Sequence, residues 1–282
     1  GVCRVVAAMV DPNPSVSGRG LELLQVAGIQ TEAGLLESEA RDLNPGFIKR
    51  MEQGLPFVRV KMATSLDGRT AMASGESQWI TGPAARSDVQ KLRAKSSAVL
   101  TGLDSILQDN SSLTVRKEQL KLDNADEIVK QQPLRVVLDT HLRMPIDAKI
   151  LQQAGRTVVM TCATDQQRSQ ALVNAGAELI VMPESNGRIA LRPVLEWLSA
   201  EEECNELLVE TGATLAGSFV QEGLVDEVQL YMAMTLLGSE AKPAFTLPLT
   251  KMSEQIRMDL LDQRMLGSDL KLTLRPVYEE QH

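Results

Sequence analysis

The chain has 282 residues, of which 43% are hydrophobic and 23% charged, and its 29 basic and 37 acidic side chains give a formal charge of −8. This length suits one large domain or two modest ones, and the composition is that of an ordinary globular protein. The negative charge argues against a nucleic-acid partner, because a phosphodiester backbone would be repelled unless the basic residues were gathered on one face. No apolar run approaches the ~18 residues of a membrane helix, so we expect no membrane partner.

Cysteine and histidine usage predicts neither a disulfide framework nor a metal site. Cys3, Cys162 and Cys204 lie far apart without CxxC spacing, and no signal-peptide pattern is present, so a cytoplasmic location is expected. The only histidines are His141 and His282, and the HxE, PCxxC and HExxH patterns of zinc enzymes are absent. Any difficult chemistry must then come from a bound cofactor.

The first part of the chain predicts a small α/β segment. The apolar run 2–10 predicts a buried strand, followed by a helix at about 20–27, a strand at 29–33 and a helix from 36 to about 51. Gly54-Leu55-Pro56 ends this pattern. We therefore place a domain boundary between residues 43 and 55, with domains 1–43 and 44–282.

From residue 58 onward, strands and helices alternate. Val58, Val60 and Met62 alternate with Arg59 and Lys61, which predicts a strand with one buried face. Further strands are predicted at 97–102, 134–139, 157–162, 179–182, 206–210 and 227–233, and helices at about 166–175, 193–200 and 214–222. This alternation predicts an α/β fold with a mainly parallel sheet covered by helices. The polar stretch 117–132 is expected to be a surface loop or exposed helix, and segments near 256–260 and 270–274 predict antiparallel strands.

The densest group of candidate functional residues runs from Lys61 to Thr81. The predicted strand ends here in small and polar residues, Asp67-Gly68 forms a tight turn, and a second loop holds Gly75 and Trp79. A plain hairpin turn with a core tryptophan would explain the segment about as well, since Asp-Gly turns are common.

The segment from Glu210 to Ser218 is a second candidate, because it joins an apolar strand to a helix through Gly212. Such a turn leaves backbone N–H groups free to bind a phosphate at the helix N-terminus. The spacing does not match GxGxxG, so a Rossmann fold is disfavoured. An ordinary connection between strand and helix is the simpler alternative.

Two arginines, Arg93 and Arg116, are candidates to hold a substrate phosphate, since guanidinium groups match phosphate oxygens bidentately. Arg93 falls on a helix whose apolar stripe is Ala85, Val89 and Leu92. From the pattern alone, a pair of surface arginines is the simpler interpretation, and we expect the replacement of either to change stability little.

Several of these segments together resemble the reductase domain of the bacterial RibD family. The similarity begins with 61–81 and continues in the family's order through 113–116 (LTVR), 209–212 (VETG) with 215–217 (LAG), 224–227 (LVDE) and 236–239 (LLGS). The resemblance spans essentially the whole chain. It implies a fold like dihydrofolate reductase and the NADPH-dependent reduction of 5-amino-6-(5-phosphoribosylamino)uracil, with hydride passing to C1′ of the ribosylamine in its ring-opened imine form.

The same resemblance bears on the rest of the protein. Residues 1–43 resemble the carboxyl end of the family's cytidine-deaminase-like domain, whose zinc-binding segments would lie before residue 1. We therefore expect the intact protein to be bifunctional and the chain as given to lack deaminase activity. By analogy with the family, we also expect a homodimer. Two alternatives stay open: a dihydrofolate-reductase-like enzyme acting on another pterin or pyrimidine, and a catalytically silent module of a multienzyme assembly.

Site residues follow from the resemblance position by position. NADPH contacts are implied at Ala63, Trp79, Ser105, Asp109, Thr140, Gly212, Ala213, Thr214, Leu215, Ala216, Gly217 and Ser218. Substrate contacts are implied at Ser77, Arg93, Leu113, Arg116 and Glu210. Lys61, Asp67 and Asp109 are the candidate catalytic residues, the first two from the strand-end pattern alone. Thr140 and Arg143, just after the predicted strand 134–139, are positioned to receive the 2′-phosphate of the cofactor.

Overall fold

The structure is a computed structural model that describes residues 1–278. The chain forms two compact units, one made of Gly1–Phe57 with Leu195–Asn205 and the other of Val58–Val194 with the chain from Glu206 onward. The assignment of residues 1–43 to a separate deaminase-like domain stays a prediction.

The first unit begins with a small parallel sheet and three helices: β1 (Arg4–Ala7), α1 (Arg19–Val26), β2 (Gln30–Ala33), α2 (Glu37–Leu43) and α3 (Pro45–Gln53). The prediction of a buried first strand is wrong, since β1 alternates between exposed and half-buried residues and pairs with β2 in a two-stranded sheet. The predicted helix 36–51 is two helices. Asn44 leaves the helical conformation because it precedes Pro45, which starts α3.

The second unit contains the strands β3 (Phe57–Ser65), β4 (Arg69–Ala71), β5 (Ala98–Gly102), β6 (Leu134–Leu138), β7 (Thr157–Thr161), β8 (Glu178–Val181), β9 (Glu184–Ser185), β10 (Arg188–Ile189), β11 (Glu206–Glu210), β12 (Glu227–Ala233), β13 (Lys242–Pro243), β14 (Arg257–Leu266) and β15 (Asp269–Val277). Its helices are α4 (Pro83–Lys95), α5 (Leu103–Asp109), α6 (Lys117–Leu120), α7 (Ala125–Ile128), α8 (Gln166–Asn174), α9 (Leu191–Glu201), which continues into the first unit, and α10 (Ala213–Gln221). Two 3-10 turns lie at Lys149–Gln152 and Met252–Glu254.

A nine-stranded sheet organises this unit in the order β14-β15-β12-β3-β11-β5-β6-β7-β8. The pairs β12–β3, β11–β5, β5–β6, β6–β7 and β7–β8 are parallel. The predicted α/β fold with a mainly parallel sheet is therefore confirmed. The predicted antiparallel strands at the end of the chain are also confirmed, as the hairpin β14–β15 that pairs with β12.

The core forms where the strands are covered by helices. Every residue of β6 and β7 is buried, as expected for central parallel strands. The prediction of a surface segment at 117–132 is only partly right. Two one-turn helices, α6 and α7, bury Leu120 and Ala125 against Val115 in a small apolar cluster of their own.

Candidate functional site

A large cleft crosses the carboxyl ends of β5, β6 and β11 and reaches along β3 to Lys61. Ligands of parallel α/β sheets commonly bind at this edge, where the loops after the strands converge. The cleft has a volume of about 1720 Å³. A pocket for one drug-sized ligand holds roughly 300–1,000 Å³, so there is room for two ligands side by side.

Most of the predicted site residues line this cleft, although they are spread along the sequence from Lys61 to Ser218. They are Lys61, Ala63, Ser77, Trp79, Arg93, Ser105, Asp109, Leu113, Arg116, Thr140, Glu210, Gly212, Ala213, Thr214, Leu215 and Ser218. The structure does not bring Asp67, Ala216 or Gly217 into the lining.

A buried ion cluster lies at the end of β11. Arg93 donates to both carboxylate oxygens of Glu210, at 2.5 and 3.0 Å, and also to the carbonyl oxygen of Thr114 at 2.9 Å. Lys61 Nζ lies 3.9 Å from Glu210 Oε2. The Lys61, Arg93 and Glu210 side chains are only 19%, 11% and 9% exposed. This cluster therefore has little water to screen its charges.

Burial and charge act in opposite directions in this cluster. Burial lowers the pKa of Lys61 and the nearby Arg93 charge adds to that shift, while Glu210 opposes both. Burial would raise the pKa of Glu210, but the charges of Arg93, Lys61 and Arg116 outweigh it and hold that pKa below its ordinary value. Glu210 is thus a stable anion, and Lys61 is a better proton donor than a free lysine.

Arg116 differs from Arg93 in having no carboxylate partner within 4.0 Å among residues 1–278. Its side chain donates to Ser112 Oγ at 3.4 Å, and its backbone N–H donates to Gln90 Oε1 at 2.9 Å. Burial lowers its pKa, with the charge of Arg93 adding to the shift. A guanidinium that is held in place without an acidic partner is suited to bind an anionic ligand group.

The N-terminus of α10 opens into the cleft. Gly212 has an extended conformation at the N-cap, and a side chain there would meet no atom within 4 Å. Within the described part of the chain, the N–H groups of Ala213, Thr214 and Leu215 donate to no protein acceptor. These amides, together with the helix dipole, form a ready site for a phosphate.

The predicted cofactor and substrate residues meet near α5. Ser77 Oγ donates to Asp109 Oδ1 at 3.1 Å, which joins a predicted substrate residue to a predicted cofactor residue. Trp79 is 64% exposed, with the Arg86 guanidinium 4.6 Å from its ring centroid. The alternative of a core tryptophan is therefore wrong, and the indole is part of the cleft lining.

Asp67, a predicted catalytic residue, is held by hydrogen bonds at the end of β3. Its carboxylate accepts hydrogen bonds from the Ser65 hydroxyl and from the N–H groups of Leu237 and Gly238, the latter at 2.8 Å. These bonds lower its pKa to about 2, the Ser65 hydroxyl contributing most. Asp67 ties the loop after β12 to the end of β3, and it lies outside the cleft lining. Its catalytic role stays a prediction, and its hydrogen bonds indicate that it positions the loop after β12.

Gly217, whose predicted cofactor contact stays a prediction, makes room for another segment. A Cβ at this position would lie 2.1 Å from the carbonyl oxygen of Thr246, whose N–H donates to the Ala213 carbonyl. We expect Gly217→Ala to lower the free energy of unfolding by about 1–3 kcal/mol, because the backbone at Thr246 must move. Urea unfolding measures this, with Gly212→Ala as the control that meets no atom. Equal stabilities of both variants and the parent would contradict the packing argument.

One part of the cleft lining was not predicted. The segment Ser185–Arg192, together with Lys149 and Asp139, also lines the cleft. Asn186-Gly187 was the available signal, because Asn-Gly between short extended runs marks a hairpin. Among residues 1–278, no group of three or more His, Cys, Asp or Glu side chains could hold a metal ion, and no helix there is long and apolar enough to cross a membrane.

A mainly parallel α/β sheet with a helix N-terminus whose amides are free, and with a buried lysine–carboxylate pair in the same cleft, is typical of an α/β enzyme domain. The family model for the RibD C-terminal domain matches residues 56–272. This chain is 45% identical over 278 residues to RibD of Escherichia coli, covering 97% of this chain and 74% of that protein. It is 43% identical over 281 residues to RibD of Haemophilus influenzae, covering 98% and 73%.

Solved structures agree with the sequence relatives. The structure of Acinetobacter baumannii RibD, form 1, superposes with a TM-score of 0.87 at 44% identity, covering 98% of this chain and 74% of that one. The deaminase/reductase of Thermotoga maritima superposes with a TM-score of 0.80 at 28% identity, covering 98% and 72%. The chain belongs to the RibD family of riboflavin biosynthesis proteins, over the reductase domain of that family.

Proposed function

We propose that this chain reduces 5-amino-6-(5-phosphoribosylamino)uracil to 5-amino-6-(5-phosphoribitylamino)uracil with NADPH. The observation that carries the proposal is the buried Lys61–Glu210–Arg93 cluster beside Arg116, in the same cleft as the free N-terminus of α10. One arrangement thus offers a proton donor, an anion site for a sugar phosphate and a separate anion site for a cofactor. The Thermotoga maritima relative carries the name of this reductase.

The residues present fit NADPH. The free amides at the start of α10 suit its pyrophosphate, and Ala63, with its small side chain, leaves space beside Lys61 for a flat ring. When bound, NADPH supplies a hydride to C1′ of the substrate. Ser77, Asp109 and Trp79 then hold the two ligands against each other, and such positioning can lower a barrier by roughly 7–11 kcal/mol.

Lys61 completes the reaction in this proposal. The ring-opened substrate has a C1′=N double bond, and when hydride adds to C1′ the π electron pair moves to nitrogen, which needs a proton. Lys61 donates that proton from its ammonium group, and solvent restores it. Glu210 holds Lys61 in place and receives two hydrogen bonds from Arg93. Arg116 binds the 5′-phosphate of the substrate.

The test follows the absorbance of NADPH on mixing with the phosphorylated ribosylaminopyrimidine. We expect one NADPH to be consumed for each ribitylamino product. The specificity constant for NADH should be lower, because NADH lacks the 2′-phosphate that we assign to Thr140 and Arg143, two residues of the cleft lining. Equal specificity constants for the two cofactors would contradict the NADPH assignment. Turnover of an unphosphorylated pterin instead would favour the alternative enzyme, and binding of neither cofactor would favour a silent module.

We further propose that the chain works as a cytoplasmic homodimer and that residues 1–43 end a cytidine-deaminase-like domain. Support for the dimer comes from one face of the hairpin β14–β15. By their register, apolar side chains share that face, namely Met258, Leu260, Met265, Leu270, Leu272 and Leu274. Free Cys3, Cys162 and Cys204 suit a reducing compartment.

The dimer proposal predicts a change of mass on replacing one residue. Leu260 is 54% exposed on the terminal strand β14, so Leu260→Asp should give a monomer by light scattering, because a charge would be buried in the interface. Val181→Asp is the control, since Val181 is 64% exposed on the opposite terminal strand β8. A Leu260→Asp variant with the mass of the parent would show that this face of the hairpin is not the dimer interface.

A further inference from the structure

Beside Arg86, Arg93 and Arg116, three further arginines from separate segments line the cleft. Arg143 lies in the turn after β6, Arg188 on β10, and Arg192 in the first turn of α9. All three are exposed. A chain with eight more acidic than basic side chains (37 against 29) nevertheless brings six guanidinium groups to one cleft, these three among them.

These guanidinium groups have no protein partner in the described part of the chain: within residues 1–278, none of the three forms an ion pair within 4.0 Å or a side-chain hydrogen bond. Two other arginines of this unit do have protein partners, since Arg135 and Arg168 donate hydrogen bonds to backbone carbonyl groups. Arg192 lies near enough to Glu222 for its charge to lower the pKa of that carboxyl, although burial raises this pKa more strongly. The three arginines are therefore available to a ligand.

The turn that carries Arg143 is fixed on both sides. Asp139 Oδ2 accepts a hydrogen bond from the N–H of Met144 at 2.7 Å. Arg168 Nε donates to the carbonyl oxygen of Leu142 at 2.9 Å. Leu142 and Met144 are both buried. The residue between them, Arg143, is consequently presented outward by a rigid backbone.

Arg188 is presented by a short hairpin. Asn186 and Gly187 have φ values of 53° and 75°, the left-handed conformations of a type I′ turn that joins β9 to β10. Ile189 is 6% exposed and anchors the hairpin. Because neighbouring residues of a strand point to opposite faces, Arg188 points away from that anchor.

We propose that Arg143, Arg188 and Arg192 together bind the 2′-phosphate of the adenosine ribose of NADPH, and so make the hairpin β9–β10 a cofactor-specificity element. This inference rests on the proposed function. There, Arg116 takes the substrate phosphate and the α10 amides take the pyrophosphate, which leaves one anionic group among the two ligands. A phosphate monoester with about two negative charges suits several guanidinium groups that line one cleft without protein partners among the described residues.

The experiment measures binding of NADP⁺ and NAD⁺ by calorimetry, without substrate, for Arg188→Ala, Arg192→Ala and the double variant. We expect each single change to weaken NADP⁺ binding about tenfold and the double change up to about a hundredfold, with NAD⁺ unchanged. Arg156→Ala is the matched control, because Arg156 is an exposed arginine paired with Glu178 outside the cleft lining. It should bind both nucleotides like the parent.

The outcomes separate this inference from the proposed reaction. If the variants lose NADP⁺ and NAD⁺ affinity equally, or lose neither, the 2′-phosphate is bound elsewhere and the inference is overturned. Adenosine 2′-phosphate should compete with NADP⁺ on the parent and fail to do so on the double variant. These binding results hold whether or not the pyrimidine is reduced, so a failure of the proposed reaction appears only in the turnover assay.

Discussion

Arg116→Ala should lower kcat/KM for the phosphorylated ribosylaminopyrimidine about ten- to hundredfold and leave stability nearly unchanged. The change removes a charge-assisted contact of about 1.5–3 kcal/mol with the substrate, while inside the protein the side chain loses only a 3.4 Å hydrogen bond to Ser112. The dephosphorylated analogue should be affected much less. Lys117→Ala is the neighbouring control, since Lys117 pairs with Asp126 and does not line the cleft.

Arg93→Ala should behave differently, because the structure changes what we expected of it from the sequence. Its loss leaves Glu210 buried without its bidentate partner, and an uncompensated buried charge costs about 3–5 kcal/mol. We therefore expect a lower midpoint of urea unfolding as well as a loss of activity. Adding Glu210→Gln should recover much of the stability without recovering the activity. If Arg93→Ala were as stable as the parent, the Arg93–Glu210 ion pair would contribute little to the free energy of unfolding.

Much of the fold could be predicted because strands and helices alternate in a regular way. The buried β6 and β7 are short continuous apolar runs, which predict central strands of a parallel sheet. The errors have two causes, a single proline that interrupts a longer helical pattern and a strand whose burial depends on its neighbours in the fold. Pro45 divides one apparent helix into α2 and α3, and β1 is apolar in sequence but pairs with a single strand.

The candidate site could be predicted less completely, since long-range partners have no local signal. Nothing in the sequence around Arg93 shows that Glu210, 117 positions away, takes both of its hydrogen bonds. Asp67 and Gly217 stand within recognisable segments, yet one ties down a loop and the other makes room for Thr246. Those roles depend on which backbone passes close by, and tertiary packing alone determines that.

Lys61→Met should reduce kcat about 10²- to 10⁴-fold, the usual contribution of a positioned general acid, with little change in the binding of NADP⁺. Methionine keeps the length and apolar stem of the side chain and removes only the ammonium group. Stability should not fall, since burial already disfavours the Lys61 charge. Lys91→Met is the control, because Lys91 is an exposed lysine of α4 outside the cleft lining.

The pH profile distinguishes proton donation by Lys61 from a merely structural role. Because burial lowers the pKa of Lys61, kcat/KM of the parent should fall on the alkaline side at a lower pH than the ordinary lysine value of 10.5. Glu210 opposes that shift, so Glu210→Gln should move the alkaline limb to a still lower pH. Lys61→Met should lack the limb altogether. A parent-like alkaline limb in Lys61→Met would assign the proton to another group, and a kcat close to that of the parent would remove Lys61 from the chemistry.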